Sequence, residues 1–190
     1  MEKFQNKYRI PSARAKWWDY GRDGLYFITI CTACRKCLLG NIVNSDMRLS
    51  PIGEIVRCEW DKSFKIRKEL LCDTFVIMPN HIHAILRIDR EAGGGDDDGG
   101  TGGDDAVAAQ GCAPQRGVAY RSPKSISSFV AGFKSATTKL VNERWNTPKI
   151  VVWQPRFHDH IIRNDDEYRR IADYINNNPR RWTEDKFHAK

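Results

Sequence analysis

The chain has 190 residues and a formal charge of +7, with 31 lysines and arginines against 24 acidic residues. Residues 91–105 hold six of the acids and no base, which leaves +13 for the rest of the chain. A hydrophobic content of 41% supports one ordinary core and excludes a disordered protein, and the basic excess favours an anionic partner. Without a membrane-spanning run or a secretory signal, we expect a cytoplasmic protein with no membrane partner.

The first elements begin with an arm over residues 1–24, which mixes bases with aromatic side chains. Residues 25–32 form a β-branched and aromatic run that predicts a buried strand. Residues 40–46 are rich in turn-forming residues, and we expect turns there. From Pro51 to about Arg67, apolar residues recur at spacings of three and four, which predicts an amphipathic helix with proline near its start.

Two apolar runs follow, over residues 71–78 and 82–88, and the pair Pro79–Asn80 lies between them. This pattern predicts an antiparallel hairpin. Residues 91–117 are rich in glycine and aspartate and show no periodicity, so we interpret them as a flexible acidic insert. The insert interrupts what we expect to be a single domain over residues 1–190, since the length suits one domain.

The last third of the chain alternates between helical and strand patterns. Residues 125–145 have apolar side chains at helical spacing, and residues 149–163 favour a strand that Pro155 interrupts. Asn164 is a candidate N-cap for a final helix, which should end before Pro179. The order of elements predicts an α+β sandwich, with helices packed on a mainly antiparallel sheet.

A His-x-His pair, His81 and His83, begins the second strand of the predicted hairpin. Alternate residues of a strand share a face, so both imidazoles should point the same way while Ile82 points into the core. Neutral imidazole is a common metal ligand, and a pair on rigid backbone leaves coordination positions open for substrate oxygens. Taken alone, the pattern fits equally well one turn histidine and one surface histidine.

Tyr174 and Asn178 are four residues apart on the final helix, so they lie on the same face. A tyrosine can act as a covalent nucleophile when a nearby cation favours its phenolate. Tyr174 alone also fits a core or interface tyrosine. Tyr168 lies about 240° around the helix from it, so only one of the two can face the histidines.

Other patterns leave further alternatives open. The spacing of Cys31, Cys34 and Cys37 is compatible with a zinc site, which would suit a thiol-ligated regulator. For His158 and His160 we favour an ordering or DNA-contacting role, since an acid lies between them. Phosphate-binding glycine loops, Rossmann glycines and a serine-hydrolase elbow are absent from the sequence, which disfavours nucleotide hydrolysis, hydride transfer and esterase chemistry.

Three segments together resemble a known family: MPNHIHAIL (78–86), WQPRFHDHIIRN (153–164) and DYINNNPRRW (173–182). They look like the IS200-like single-tyrosine (Y1) HUH transposases, and within these like the REP-associated tyrosine transposases. Residues 8–32 are also similar to that group, so the likeness covers nearly all of the chain outside the insert. It implies a ferredoxin-like or RRM-like sandwich whose central antiparallel sheet carries the HUH motif.

The resemblance also implies a site and a reaction. His81 and His83 would be the metal pair for Mg²⁺ or Mn²⁺, Tyr174 the nucleophile, and Asn178 a third polar metal ligand. The implied activity is cleavage and strand transfer on single-stranded DNA that carries hairpin or palindromic REP-like elements, through a 5′-phosphotyrosine intermediate. REP-associated members are expected to act as monomers, although IS200-type relatives share active sites across a dimer.

Basic and aromatic side chains on the arm and around the final strand and helix are candidate DNA contacts. Guanidinium groups bind phosphate bidentately, and indoles stack on unpaired bases. The candidates are Arg14, Lys16, Trp17, Trp18, Arg156, Arg163, Arg170, Arg180 and Arg181. The alternative function is a domesticated nucleic-acid-binding protein that keeps the fold and no longer cleaves.

Overall fold

The structure, a computed structural model, describes residues 23–89, 124–147 and 150–188. It also gives the backbone of two short paired strands near the N-terminus, β1 (Lys3–Phe4) and β2 (Lys7–Tyr8). The acidic insert over residues 91–117 lies outside the described residues. So do four of the predicted DNA contacts, which are Arg14, Lys16, Trp17 and Trp18.

Nine further elements follow in chain order, and seven of them agree with the predicted order of strands and helices. They are β3 (Gly24–Cys31), β4 (Gly40–Val43), β5 (Asp46–Leu49), α1 (Pro51–Ile66), β6 (Leu70–Met78), β7 (His81–Ile88), α2 (Ile126–Trp145), β8 (His158–Ile162) and α3 (Asp165–Asn177). Short 3₁₀ segments occupy Ala33–Arg35 and Pro179–Glu184. Among the described residues, none of the helices has the length and apolar character needed to cross a membrane.

The central sheet has four strands in the order β6-β7-β3-β8, and every neighbouring pair is antiparallel. β6 and β7 form the predicted hairpin around the turn at Pro79 and Asn80. Thr29 on β3 lies opposite His83 on β7 and, on its other side, opposite His158 on β8. An α+β fold with a central antiparallel sheet is thereby confirmed.

The two faces of this sheet are covered differently. On one face, alternate residues of β3 and β7 pack against α1 and α2 in a large core, where the Trp60 ring contacts the rings of Phe64, Phe75, Phe129 and Phe133. The other face carries a smaller cluster around Ile85, Ile162 and Ile175, and α3 lies over it. The His-x-His pair belongs to this second face, because His81 and His83 alternate with core residues of β7.

Residues 40–46 differ from the prediction, because β4 and β5 form a two-stranded hairpin where we expected only turns. Asn44 and Ser45 connect the strands with φ of 51° and 66°, and two positive φ angles give the twist that suits a two-residue hairpin. Gly40 fits the same hairpin, since a Cβ there would lie 2.0 Å from the carbonyl oxygen of Arg48. The turn signals therefore marked a hairpin whose strands are too short to show alternation.

Candidate active site

His81 and His83 lie side by side on the sheet face that α3 covers. Both are buried, with 0% and 1% of their surface exposed, and their ring centroids are 4.4 Å apart. Ile82 between them is fully buried in the large core, as the alternation predicts. The two imidazoles are thus held on rigid backbone and directed to the same side.

Tyr174 on α3 reaches this pair. Its Oη lies 3.1 Å from Nε2 of His83, and 39% of the residue is exposed. The Phe27 ring stacks on His83 at 5.2 Å and meets Tyr174 edge-on at 6.4 Å. Tyr168 instead packs into the small cluster beneath the helix. The structure therefore brings Tyr174, and not Tyr168, to the histidines.

Asp185, which the sequence did not indicate, completes a group with the two histidines. It follows the 3₁₀ segment after α3, and its Oδ2 accepts hydrogen bonds from Oη of Tyr174 at 3.2 Å and from Nδ2 of Asn178 at 3.1 Å. Its Oδ1 accepts from the backbone N–H of Phe187 at 2.6 Å. Possible ligand atoms of His81, His83 and Asp185 all lie within 4.8 Å of one another.

Asn178 lies beside this group at the C-terminal end of α3 and is 2% exposed. Its Nδ2 donates to Asp185, and its Oδ1 is buried without a hydrogen-bond partner. Nε2 of His81 is also buried without a partner. Two unpartnered buried acceptors beside a carboxylate are an unfavourable arrangement unless a cation lies between them, so the residues fit a divalent metal.

The electrostatics of the group suit metal ligation. Burial, helped by the charges of Lys186 and Arg35, lowers the pKa of His81 to about 3, and burial beside His81 lowers the pKa of His83 to about 2. Both imidazoles are therefore neutral at pH 7, as metal ligands must be. Burial, followed by the charge of Asp185, raises the pKa of Tyr174 to about 12, so without a cation its phenol stays protonated.

Two cations near the site were not singled out from the sequence. The Arg35 guanidinium lies 5.1 Å from the ring centroid of Phe187, and Lys186 lies 5.0 Å from the same centroid. Phe187 in turn packs against His81, with the ring centroids 4.6 Å apart. Arg35 and Lys186 are exposed, so they can meet a phosphate at the edge of the site.

The second His-x-His pair lies on the same side of the sheet. His158 is exposed on β8, and its ring meets Phe27 edge-on at 6.4 Å. Nε2 of His160 lies 2.8 Å from Oε1 of Glu167, which ties β8 to the first turn of α3. This contact agrees with an ordering role for His160.

Two sets of predicted site residues lie outside this group, the cysteines and the arginines. Among the described residues, the group of three metal-capable side chains is His81, His83 and Asp185, and no cysteine belongs to it, so the zinc alternative finds no ligand set there. The predicted DNA contacts on the second half of the chain are exposed, and they are Arg156, Arg163, Arg170, Arg180 and Arg181. Nη2 of Arg170 forms an ion pair with Oε1 of Glu167 at 3.7 Å.

A protein of Haemophilus influenzae Rd, itself uncharacterized, is 34% identical to the chain over 178 residues, which are 94% of the chain and 92% of that protein. The chain belongs to the same family as this Haemophilus protein. A REP-associated tyrosine transposase bound to a REP hairpin is similar in structure, with a TM-score of 0.56 and 22% identity over 93% of the chain and 77% of that protein. The chain thus has the transposase fold, and the resemblance predicted from the motifs is confirmed at the level of the fold.

A proposed transposase of Deinococcus radiodurans R1 matches with a TM-score of only 0.39 and 16% identity, over 86% of the chain and 95% of that protein. No family model matches the chain. Within the transposase fold, the strand that carries His81 and His83 lies beneath the helix that carries Tyr174. The roles of these residues do not follow from the fold alone.

Proposed function

We propose that the chain is a metal-dependent endonuclease and strand transferase for single-stranded DNA, with Tyr174 as its nucleophile. The observation that best supports this function is the position of the Tyr174 hydroxyl. Its Oη lies 3.1 Å from Nε2 of His83 and 3.2 Å from Oδ2 of Asp185, at the edge of a group of metal-capable side chains. A nucleophile and a Lewis-acid site in contact are what phosphoryl transfer requires.

His81, His83 and Asp185 are the residues that would hold a divalent cation, and the unpaired Oδ1 of Asn178 is a further donor beside them. Mg²⁺ or Mn²⁺ bound there would polarise the scissile phosphate and favour the phenolate of Tyr174. Asp185 was not predicted from the sequence, whereas Asn178 was. Both belong to the proposed ligand set.

In the proposed reaction, Oη of Tyr174 forms a bond to phosphorus while the bond from phosphorus to the 3′ oxygen breaks. The products are a 5′-phosphotyrosine and a free 3′-hydroxyl. Oδ2 of Asp185 is the acceptor next to the phenolic proton, and the leaving 3′ oxygen takes up one proton, so the proton count is unchanged. Because the intermediate is still a phosphodiester, a second 3′-hydroxyl can attack it and join strands without ATP.

The proposed substrate is single-stranded DNA that contains a hairpin. The solved transposase with the same fold is bound to a REP hairpin, and the chain outside its acidic tract is strongly basic. Exposed cations are available to phosphates: Arg35 and Lys186 lie at the edge of the site. The exposed arginines of the second half of the chain are further candidates, and they are Arg156, Arg163, Arg170, Arg180 and Arg181.

A covalent-adduct assay tests the function. End-labelled hairpin oligonucleotides are incubated with the protein and Mg²⁺ or Mn²⁺, and adducts are separated on denaturing gels. We expect the wild type to form an adduct that Tyr174→Phe does not form, because the nucleophilic oxygen is missing. Tyr168→Phe is the matched control on the same helix, and we expect it to react like the wild type.

Two outcomes would contradict the proposed activity. One is adduct formation by Tyr174→Phe at the level of the wild type. The other is tight hairpin binding by the wild type with no adduct under any divalent metal, which would favour the domesticated DNA-binding protein instead.

A further inference from the structure

Asn80, in the turn that joins β6 to β7, has polar contacts on both ends of its side chain and is 1% exposed. Its Nδ2 donates to two carbonyl oxygens, that of Arg35 at 3.1 Å and that of Phe187 at 2.7 Å. Its Oδ1 lies 2.8 Å from Nδ1 of His81. Because carbonyl oxygens only accept hydrogen bonds, the nitrogen end must face them and the oxygen end must face the imidazole.

This arrangement fixes the tautomer of His81. Oδ1 of an amide cannot donate, so the hydrogen bond requires a proton on Nδ1 of His81. In a neutral imidazole, Nε2 then carries the lone pair, and this is the buried atom without a partner. The Nδ1 contact of His83 sets no tautomer in the same way, since it is made with the hydroxyl of Thr29 at 2.8 Å, and a hydroxyl can donate or accept.

The amide nitrogen of Asn80, Nδ2, contacts a different part of the site. The carbonyl of Phe187, which Nδ2 binds, lies two residues after Asp185, and the N–H of the same residue binds Oδ1 of Asp185. Asn80 also anchors its own loop, since its backbone oxygen accepts from the N–H of Thr32 at 2.9 Å. One buried amide therefore contacts a histidine and the segment that presents the carboxylate.

We propose that Asn80 is a positioning residue that keeps Nε2 of His81 free for a cation and fastens residues 185–187 against the site. The part of this inference that concerns metal rests on the proposed function, whereas the tautomer and the fastening do not. Partners that orient a ligating histidine typically change metal affinity by 10–100-fold when they are removed.

The tautomer is tested by ¹⁵N NMR of His81 in the metal-free protein at neutral pH. We expect the proton on Nδ1 in the wild type, and a mixture or the Nε2–H form in Asn80→Ala. Asn80→Asp keeps an acceptor toward His81 but cannot donate to the two carbonyls, so the proton should stay on Nδ1. A wild-type His81 with its proton on Nε2 alone would overturn the inference without any variant.

The fastening is tested by Mn²⁺ affinity, measured by electron paramagnetic resonance in a double-mutant cycle. We expect Asp185→Asn to weaken Mn²⁺ binding more in the wild type than in the Asn80→Asp background, because Asn80→Asp no longer holds residues 185–187 in place. Equal losses in both backgrounds would refute the fastening. Another outcome is that the wild type and all variants fail to bind Mn²⁺ while the His81 tautomers are as expected. In that case the proposed function fails and the tautomer assignment stands.

Discussion

At the scale of single residues, the candidate site depends on buried polar contacts that leave little room for substitution. Oγ1 of Thr29 lies 2.8 Å from Nδ1 of His83, and both residues are buried. On the other side of β3, Thr29 lies opposite His158 of β8. Thr29 therefore lies between the two strands that carry His-x-His pairs. Removing the hydroxyl leaves a buried imidazole nitrogen with no partner.

Thr29→Val should therefore destabilise the protein by about 1–3 kcal/mol and weaken Mn²⁺ binding by about 10–100-fold. Thr137→Val is the matched control, since Oγ1 of Thr137 is equally buried and accepts from Nε1 of Trp153 at 2.7 Å, away from the site. Urea denaturation and Mn²⁺ titration measure the two effects. Our assignment is wrong if both variants lose the same metal affinity.

Whether a site residue could be predicted from the sequence depends on the kind of element that carries it. His81, His83 and Tyr174 are on regular elements, where the periodicity of the strand or helix predicts which side chains share a face. Asp185 comes to the site through a 3₁₀ segment and a turn, and neither has a periodicity that places a carboxylate seven residues after Asn178. Only the contacts of the folded chain identify it.

At the scale of elements, α3 is held at its first turn by one carboxylate. Oε2 of Glu167 accepts from the N–H of Arg163 at 3.0 Å, its Oε1 lies 2.8 Å from Nε2 of His160, and Oδ1 of Asn164 caps the N–H of Glu167 at 2.8 Å. The backbone bond, followed by His160, lowers the pKa of Glu167 below its ordinary 4.5. This turn sets the start of the helix that carries Tyr174.

Glu167→Ala should cost about 1 kcal/mol at pH 7, because the N–H of Arg163 loses its hydrogen bond to the carboxylate. Because the folded pKa lies below the ordinary value, the wild-type carboxylate stabilises the fold above about pH 4.5, and this contribution is lost as the pH falls through the lowered pKa. The difference between variant and wild type should therefore shrink toward pH 3 in urea titrations. Asp173→Ala, an exposed acid on the same helix, should show little difference at either pH.

The elements themselves were predictable to within a residue or two where the chain shows a clear period. The helices capped by Ser50, Ser125 and Asn164 begin where the sequence predicts, because each cap side chain accepts a hydrogen bond from the first turn. β4 and β5 were missed, since four residues are too few to separate a strand from the turn residues between them.

At the scale of the whole molecule, one chain contains every part of the candidate site. Tyr174 reaches His83 of its own chain, so no exchange of helices between copies is needed. An active site shared between two copies would require α3 to leave the small cluster around Ile175.

A complementation experiment tests this arrangement. We expect that mixing Tyr174→Phe with His83→Ala yields no covalent hairpin adduct, because neither chain has a complete site. Each variant mixed with wild type should retain the adduct yield of the wild type alone. Recovery of activity in the mixture of the two variants would show that the tyrosine acts on the partner's histidines.

The direction of β7 has a consequence for how the chain can vary in length. The strand starts at the site with His81 and ends at Ile88, and seven steps of about 3.4 Å place its far end about 24 Å away. The stretch between Asp89 and Lys124, which contains the acidic tract, therefore follows the end of β7 that is remote from the candidate site. A change in the number of residues between Asp89 and Lys124 would therefore act on the end of β7 that lies about 24 Å from His81.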